Sequence, residues 1–384
     1  MRNAFATESA EAIGAQVAVQ NIIRVGLVGV GNWARYGHIP ALKLLPEYEI
    51  VAVSSRSLEK ARNIAKTFDI PHAYGGAQEL INDAEVDLVV VLPPAPEHFA
   101  IVKAAIIAGK DVYCEWPLTA STEDSEELLR LAEQHGVRHI VGLQRTVGAS
   151  SLHFHHLLSE GYVRRLRSVR MQVNMAGFGP VRSASLDWTI PAKNFSHVLS
   201  IYGGHFMDML FHAVGQPATI TALARTQFPE LTNSSGESIR NETPDGIMVM
   251  GTFENGAIFQ VQIEGGKCNQ TGLQIDITGT NGDLQVTNES SFVTKHPDLI
   301  RGAQGERGFW SELCTADRFH MIPPSDLDTS VQDLAQLYAA FARDRIDGSK
   351  TTRDFADAVV MHRLIDAIYE ASSSGTSVRP REQS

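Results

Sequence analysis

The stretch IIRVGLVGVGNWA, residues 22–34, decides the fold of this chain. Its apolar run ends in Gly29-Val30-Gly31, and the residues that follow have helical spacing. A parallel strand that turns sharply into its helix favours glycine first, and the close approach of a pyrophosphate favours glycine second. The small Ala34 lets helix and strand pack, and free amides at the helix start meet phosphate. The stretch therefore predicts a dinucleotide site at the first turn.

Residues 22–146 continue the pattern that this turn begins. Short apolar runs alternate with helical segments such as 58–68, 98–108 and 122–135, the last closed by Gly136. Such alternation predicts a parallel sheet with helices on both faces. The run Leu88–Leu92 has no polar alternation, which fits burial on both sides. We therefore expect an α/β Rossmann domain with one ligand crevice at the carboxyl ends of its strands.

After residue 146 the periodicity changes. Apolar residues recur with period two around 169–173, 247–253 and 258–263, which indicates half-buried antiparallel strands. Asn255-Gly256 and Asn281-Gly282 are strong hairpin signals. The sequence predicts an α+β domain with a large, mainly antiparallel open sheet, an amphipathic helix over 354–371 near the first domain, and a long surface loop over 226–244. The predicted boundaries are 1–21 for an extension, 22–146, 147–375 and 376–384 for a tail.

Composition narrows the function classes. The 384 residues carry a formal net charge of -11 and lack a dominant basic cluster, which argues against direct nucleic-acid binding. The three cysteines are too scattered for a disulfide framework or a zinc site, and no run approaches a membrane span. His153, His155 and His156 lack matching ligands, so we expect no metal. The first twenty residues lack a signal-peptide core, and a cytoplasmic location is predicted.

The second strand ends in Val53-Ser54-Ser55-Arg56, without the acidic residue that an NAD-preferring fold places there. A hydroxyl beside Arg56 suits a 2′-phosphate, because guanidinium pairs well with phosphate oxygens. This favours NADP over NAD; the alternative is an ordinary exposed arginine that opens a helix.

Later strand ends bring further polar groups to the crevice. Pro94 and His98 follow the next strand, in a stiff loop, and Cys114-Glu115-Trp116-Pro117 follows the fifth. Glu115 and Trp116 are candidate ligand contacts; the alternative is that Trp116 is a packing lid and Glu115 a cap or ion-pair residue.

A helix that begins at Gly203-Gly204 places His205, Asp208 and His212 on one face. An imidazole suits a general base near neutral pH, and a carboxylate orients an imidazole or binds substrate hydroxyls. Lys193, shortly before this helix, is a candidate substrate contact, with a solvated loop lysine as the alternative.

In order, the glycine turn, Pro94 and His98, Glu115-x-Pro117 and the Gly-Gly helix resemble the glucose-fructose oxidoreductase, inositol dehydrogenase and MocA family. The resemblance implies oxidation or reduction of sugars or polyols with NAD or NADP, and self-association through the open sheet. It implies His212 as the acid/base, with His205 as the alternative of one subgroup, and Asp208 as orienter. The implied cofactor contacts are Gly29, Gly31, Asn32, Trp33, Ser55, Arg56, Pro94, His98, Glu115, Trp116 and Gln144.

One position departs from the family. Trp116 stands where the family carries a lysine that contacts substrate and nicotinamide. In this feature, and in Gly142-Leu143-Gln144, the chain resembles a subgroup that includes the yeast galactose-pathway repressor, a nucleotide-binding regulator. We expect Trp116 to be a stacking wall for a sugar or nicotinamide, and Lys193 to bring an ammonium to the cleft. The leading interpretation is an oxidoreductase; the alternative is a non-catalytic regulator.

Overall fold

The computed structural model describes residues 22–269, 271–292 and 294–380. The predicted extension, 1–21, and the last residues of the predicted tail, 381–384, lie outside this part. Within it, no helix has the length and apolar character needed to cross a bilayer.

The N-terminal sheet is fully parallel, as expected, and has the strand order β3-β2-β1-β4-β5-β6. This order reverses between β1 and β4, so a crevice opens above their carboxyl ends. Its strands are β1 (Ile23–Val28), β2 (Tyr48–Ser54), β3 (His72–Tyr74), β4 (Leu88–Val91), β5 (Asp111–Cys114) and β6 (His139–Val141).

Helices cover both faces of this sheet. A π-helical turn, Ala34–His38, continues directly into α1 (Ile39–Lys43). The others are α2 (Leu58–Phe68), α3 (Ala77–Ile81), α4 (His98–Ile107) and α5 (Thr122–His135). The side chain of Ser121 caps α5 by accepting from the amide of Asp124, and Gly136 ends it in the left-handed conformation. The predicted bounds of α2 and α5, and Gly136 as the end of α5, are confirmed.

The second sheet has eight strands in the order β16-β15-β14-β13-β7-β12-β11-β8, and only β7 and β12 pair in parallel. Both predicted Asn-Gly turns connect adjacent antiparallel strands of it. Its strands are β7 (Leu166–Asn174), β8 (Thr219–Arg225), β11 (Gly246–Thr252), β12 (Ile258–Glu264), β13 (Leu273–Gly279), β14 (Gly282–Asn288), β15 (Leu299–Gln304) and β16 (Ser311–Glu312).

The segment 226–244 is not the plain loop that its composition predicts. It contains a hairpin of β9 (Glu230–Thr232) and β10 (Ser238–Arg240), in which Leu231 pairs with Ile239. The side chain of Asn233 closes the turn by accepting from the amides of Ser235 and Glu237. Strands of three residues carry too little periodicity to be recognised among so many Asn, Ser and Gly residues.

The two domains share one apolar core. Helices α6 (Ala149–Ser159), α7 (Gly204–Val214) and α9 (Phe355–Ser374) fill the space behind the second sheet, and α9 also packs on α5 of the first domain, as predicted. Helix α8 (Thr329–Asp347) returns to the other face of the Rossmann sheet, where Leu334 and Tyr338 are fully buried. The C-terminal helices therefore hold both sides of the ligand crevice.

Candidate functional site

The glycine turn has the geometry that phosphate binding requires. Gly29 has φ +102°, a left-handed conformation that side chains disfavour, and its amide bonds the carbonyl of Ser54 at 3.0 Å. A Cβ on Gly31 would meet no atom within 4 Å, so the backbone there borders open space. Asn32 is exposed at the same turn and Trp33 is half-buried. The turn can therefore bring main-chain amides close to a ligand.

Glu115, at the end of β5, lies next to this turn. Its Oε1 accepts three hydrogen bonds: from Trp33 Nε1 at 3.1 Å, from Tyr113 Oη at 2.7 Å and from His38 Nε2 at 2.8 Å. Burial opposes the negative charge, but the bonds from His38, Tyr113 and Trp33 outweigh it and hold the pKa of Glu115 below its ordinary value. Glu115 is thus an ionised acceptor at the rim of the crevice.

Ser55 and Arg56 follow β2 at the far end of the crevice. The hydroxyl of Ser55 accepts from the amide of Ser57 at 3.3 Å, which joins it to the start of α2. The side chain of Arg56 is 90% exposed and pairs loosely with Glu97 at 3.6 Å. A guanidinium so little engaged is free to meet an anionic ligand.

Pro94 and His98 have different positions. Pro94 precedes a short turn, Ala95–Glu97, and is partly exposed. His98 is buried, with Nε2 2.5 Å from the carbonyl oxygen of Pro93 and Nδ1 2.9 Å from that of Pro117. Burial lowers the pKa of this histidine. Because both ring nitrogens face protein carbonyls, His98 joins two crevice loops and is not placed to contact a cofactor, contrary to expectation.

Trp116 is not the stacking wall that we expected. Its side chain is 5% exposed, and its Nε1 donates to the carbonyl oxygen of Ser200 at 2.7 Å. The indole packs on His362, with ring centroids 4.9 Å apart, and against Gly204, where any Cβ would collide with it. Trp116 is therefore a buried contact between β5 and the segment that leads into α7.

Asp208 does not orient His212. Its carboxylate forms a buried ion pair with Arg353, with Nη2 to Oδ1 at 2.5 Å and Nε to Oδ2 at 3.1 Å, and it accepts from Thr146 Oγ1 at 2.5 Å. These bonds occupy both oxygens. Among the described residues, Asp208 therefore has a structural role. It is not placed for its predicted role of orienting His212 or binding a substrate hydroxyl.

The histidines of α7 have different surroundings because they lie two helical turns apart, roughly 10 Å along the axis. His212 is exposed, with Nδ1 3.3 Å from Arg353 Nη1 and its ring next to His155. His205 is 6% exposed, lies within the electrostatic range of Glu115 and Arg145, and packs edge-on against Phe292. Burial lowers the pKa of His205 to about 4. The His212 residue is exposed, but neighbouring groups partly desolvate its ring, and this desolvation together with the charge of Arg353 lowers its pKa to about 4 as well. Of the two rings, His205 is the one near the crevice.

Several polar atoms at the crevice have no protein partner among the described residues. They are Nδ1 of His205, Oε1 of Gln144 and Oγ of Ser54, all buried. The three donors of Glu115 all reach Oε1, which leaves Oε2 for a ligand. Unpaired buried groups are costly, and they call for a partner that the protein does not supply. Together with the open space at Gly31, they fit a dinucleotide and a polar substrate.

Lys193 is exposed on a short turn, Ala192–Asn194, that contacts the turn Ala95–Glu97 across the mouth of the crevice. Its ammonium is near the entrance, not at the position of Trp116.

The histidines of α6 have protein partners: His156 bonds Arg318 at 2.6 Å and His153 stacks on Phe319. Within the described ranges, no group of three or more His, Cys, Asp or Glu residues is arranged to hold a metal.

The sequence did not predict His38, Ser200 and Arg353, each of which bonds a predicted site residue, or Tyr338, which bonds His38. His38 had a usable signal, because it follows the glycine turn by one or two helical turns and shares its helix. Arg353 had none, since 145 residues separate it from Asp208.

Comparison with known proteins identifies both domains. Residues 23–143 match the GFO_IDH_MocA model, an oxidoreductase family with an NAD-binding Rossmann fold, and residues 151–288 match the C-terminal domain of Gal80p. The dehydrogenase aclE of Aspergillus oryzae is 27% identical over 92% of this chain and 97% of its own length. The galactose/lactose regulatory protein GAL80 of Saccharomyces cerevisiae is 23% identical over 93% and 94%.

Solved structures of both kinds share the fold. Levoglucosan dehydrogenase in complex with NADH and L-sorbose superposes with a TM-score of 0.82 at 21% identity, over 94% of this chain and 99% of that one. A super-repressor mutant of Gal80p superposes with a TM-score of 0.80 at 21% identity, over 93% and 97%. Residues 23–143 thus match the model of an oxidoreductase family with an NAD-binding Rossmann fold, and the domain that follows is similar to the C-terminal domain of Gal80p.

Proposed function

We propose that this protein is an NAD(P)-dependent oxidoreductase that transfers a hydride between the nicotinamide and a carbon of a sugar, polyol or related small molecule. The observation that carries the proposal is His205, a buried imidazole near Glu115 whose Nδ1 has no partner among the described residues. Relatives support it: scyllo-inositol 2-dehydrogenase (NADP(+)) IolW of Bacillus subtilis is 29% identical over 53% of this chain.

When bound, the nicotinamide accepts or donates the hydride; the protein holds both reactants and moves the proton. The amides of the glycine turn, with Glu115, bind the dinucleotide. Burial lowers the pKa of His205 to about 4, so the ring is neutral at pH 7 and able to take the proton of a substrate hydroxyl as the hydride leaves its carbon. In the reverse direction the imidazolium returns that proton to the carbonyl oxygen. Trp116 cannot share this role, because an indole N–H does not titrate here and is bound to Ser200.

The test compares two histidines of the same helix. We expect His205→Asn to lower kcat by about 100-fold or more, the usual range for a general base. His212→Asn, the matched control on α7, should change kcat by no more than about threefold, well below that range. The assay follows the nicotinamide absorbance band over a panel of sugars and polyols with NAD and NADP. A loss in His212→Asn alone would return the acid/base role to His212.

A second function, a nucleotide-binding regulator without turnover, is favoured by Trp116. A buried, bonded indole replaces the ammonium that the family uses at this position, and the chain resembles GAL80 over most of its length. If the protein binds NAD or NADP with micromolar affinity yet no panel substrate changes the nicotinamide absorbance, this function displaces the first. Turnover that His205→Asn abolishes would exclude it.

A further inference from the structure

Glu115 is the end of a hydrogen-bond chain that starts on α8. The hydroxyl of Tyr338 lies 2.7 Å from Nδ1 of His38, and Nε2 of the same ring lies 2.8 Å from Oε1 of Glu115. Tyr338 and His38 are both fully buried. The chain therefore links a helix from the C-terminal end of the sequence to the rim of the crevice without reaching solvent.

The direction of the chain follows from the chemistry of its ends. An ionised carboxylate only accepts, so Nε2 of His38 carries a hydrogen and donates it. Burial, and then the charge of Glu115, raise the pKa of Tyr338 well above its ordinary value, so its hydroxyl keeps its proton. In the tautomer that carries its hydrogen on Nε2, Nδ1 is bare and accepts from that hydroxyl. Tyr338 thus selects the tautomer of His38 that donates to Glu115.

This arrangement fixes the carboxylate of Glu115. Trp33 and His38 approach Oε1 from the helix after the glycine turn and Tyr113 approaches it from β5, and rotation of the carboxylate would break all three bonds. Bonds to an ionised group are stronger than neutral ones and hold geometry more firmly. Oε2 receives none of these three bonds and is left for a ligand.

We propose that His38 and Tyr338 are positioning residues of the dinucleotide site: they hold Glu115 so that Oε2 accepts from the vicinal hydroxyls of a ribose of NAD or NADP. Neither residue touches the dinucleotide. The inference rests on the proposed binding of a dinucleotide and adds the two residues that orient Glu115, one of the groups that bind it. A ribose diol donates two hydrogen bonds, and a carboxylate held in place accepts them at a lower entropic cost than a mobile one.

The test measures the Kd of NADH and NADPH by calorimetry. Tyr338→Phe removes the hydroxyl and keeps the ring; we expect Kd to rise by about five- to tenfold, the scale of one charge-linked hydrogen bond. Tyr48→Phe is the matched control. The Tyr48 hydroxyl is also buried and donates to the main-chain carbonyl of Tyr338 at 2.6 Å, but it touches neither His38 nor Glu115. It should lower the Tm to a similar extent and leave Kd unchanged.

A second pair of variants tests His38 directly. His38→Gln retains an N–H donor near the position of Nε2 and should recover most of the affinity that His38→Leu loses. If the wild-type protein binds neither dinucleotide, the proposed function and this inference both fall. If it binds and His38→Leu and Tyr338→Phe bind equally well, only the positioning role is overturned. An equal rise in Kd for Tyr48→Phe and Tyr338→Phe would also overturn it, because packing alone would then explain the effect.

Discussion

The indole of Trp116 and the main chain of Ser200 form a hydrogen bond of 2.7 Å that joins the end of β5 to the segment leading into α7. The same indole lies on Gly204, and only glycine leaves room for it there. Trp116 therefore joins the two domains. We therefore expect replacement of Trp116 to change the stability of the fold.

Trp116→Phe removes the N–H and leaves the Ser200 carbonyl buried without that partner. We expect the free energy of unfolding to fall by about 1–3 kcal/mol, the cost of an unsatisfied buried group. Urea denaturation measures it. Trp188→Phe is the control, because that exposed indole also donates to a carbonyl, of Ser185 at 2.9 Å, but in contact with water. Equal losses in the two variants would contradict the role of Trp116 as a buried tie.

The ion pair of Asp208 and Arg353 gives a second prediction. Arg353→Met leaves the carboxylate of Asp208, which is 2% exposed, without its cationic partner. We expect the free energy of unfolding to fall by about 3–5 kcal/mol. Arg379→Met is the control, because its pair with Glu254 is exposed on both sides and such pairs contribute about 0–1 kcal/mol. Chemical denaturation measures the free energy of unfolding of both variants. A fall of less than about 1 kcal/mol in the free energy of unfolding for Arg353→Met would contradict the role of this ion pair as a buried tie.

Local signals predicted most of the fold. Gly29, Gly136 and the Asn-Gly turns each act within a few residues, so the parallel first sheet, the end of α5 and two hairpins of the second sheet followed from the sequence. The site was predicted less well, because its side chains are fixed by residues far away in the chain. Helical spacing placed His205, Asp208 and His212 on one face, but it could not show that Arg353 pairs with the carboxylate of Asp208. Nor does any local pattern show that Trp116 donates to the carbonyl oxygen of Ser200.

The outer face of the second sheet predicts self-association. Leu223, Met248, Met250 and Ile258 are large, exposed apolar residues on three neighbouring strands. Contiguous apolar surface of this kind marks an interface, and we expect a second copy of the chain to cover it. Light scattering after gel filtration should give an oligomer for the wild type and a monomer for Met248→Lys/Met250→Lys. Ile107→Lys, an equally exposed change on α4, should remain oligomeric. A monomeric wild type would refute the prediction.

Arg56 predicts the choice of cofactor. Its side chain is 90% exposed at the end of β2 and pairs loosely with Glu97 at 3.6 Å, and the strand end Val53-Ser54-Ser55-Arg56 has no acidic residue of its own. We expect Arg56→Ala to raise the Kd of NADPH by about tenfold, equivalent to about 1.4 kcal/mol, and to change that of NADH little. Calorimetry with both cofactors measures this, and Arg62→Ala on the exposed side of α2 is the control. A wild-type protein that binds NADH more tightly than NADPH would contradict the NADP preference.

Buried histidines predict how stability depends on pH. Burial lowers the pKa of His197 and His205 to about 4 and that of His362 to about 3, whereas an unfolded histidine titrates near 6.5. The unfolded chain therefore binds protons first as the pH falls, and this contribution to stability is complete above pH 6.5 and is lost between 6.5 and 4. Asp333 and Asp357, whose pKa values burial raises to about 7 and about 6, act in the opposite sense.

His362→Phe isolates one of these groups. Its ring stacks on Phe195 and packs on Trp116, neither of which titrates, and both its nitrogens lack partners within the described ranges. We expect the difference in unfolding free energy between variant and wild type to grow by about 1.4 kcal/mol per pH unit from pH 6 to pH 4. Above pH 7 the change should be small, since no hydrogen bond is lost. Urea denaturation across this range measures the difference. A pH-independent difference would mean that His362 is already charged in the native state, or that water reaches it.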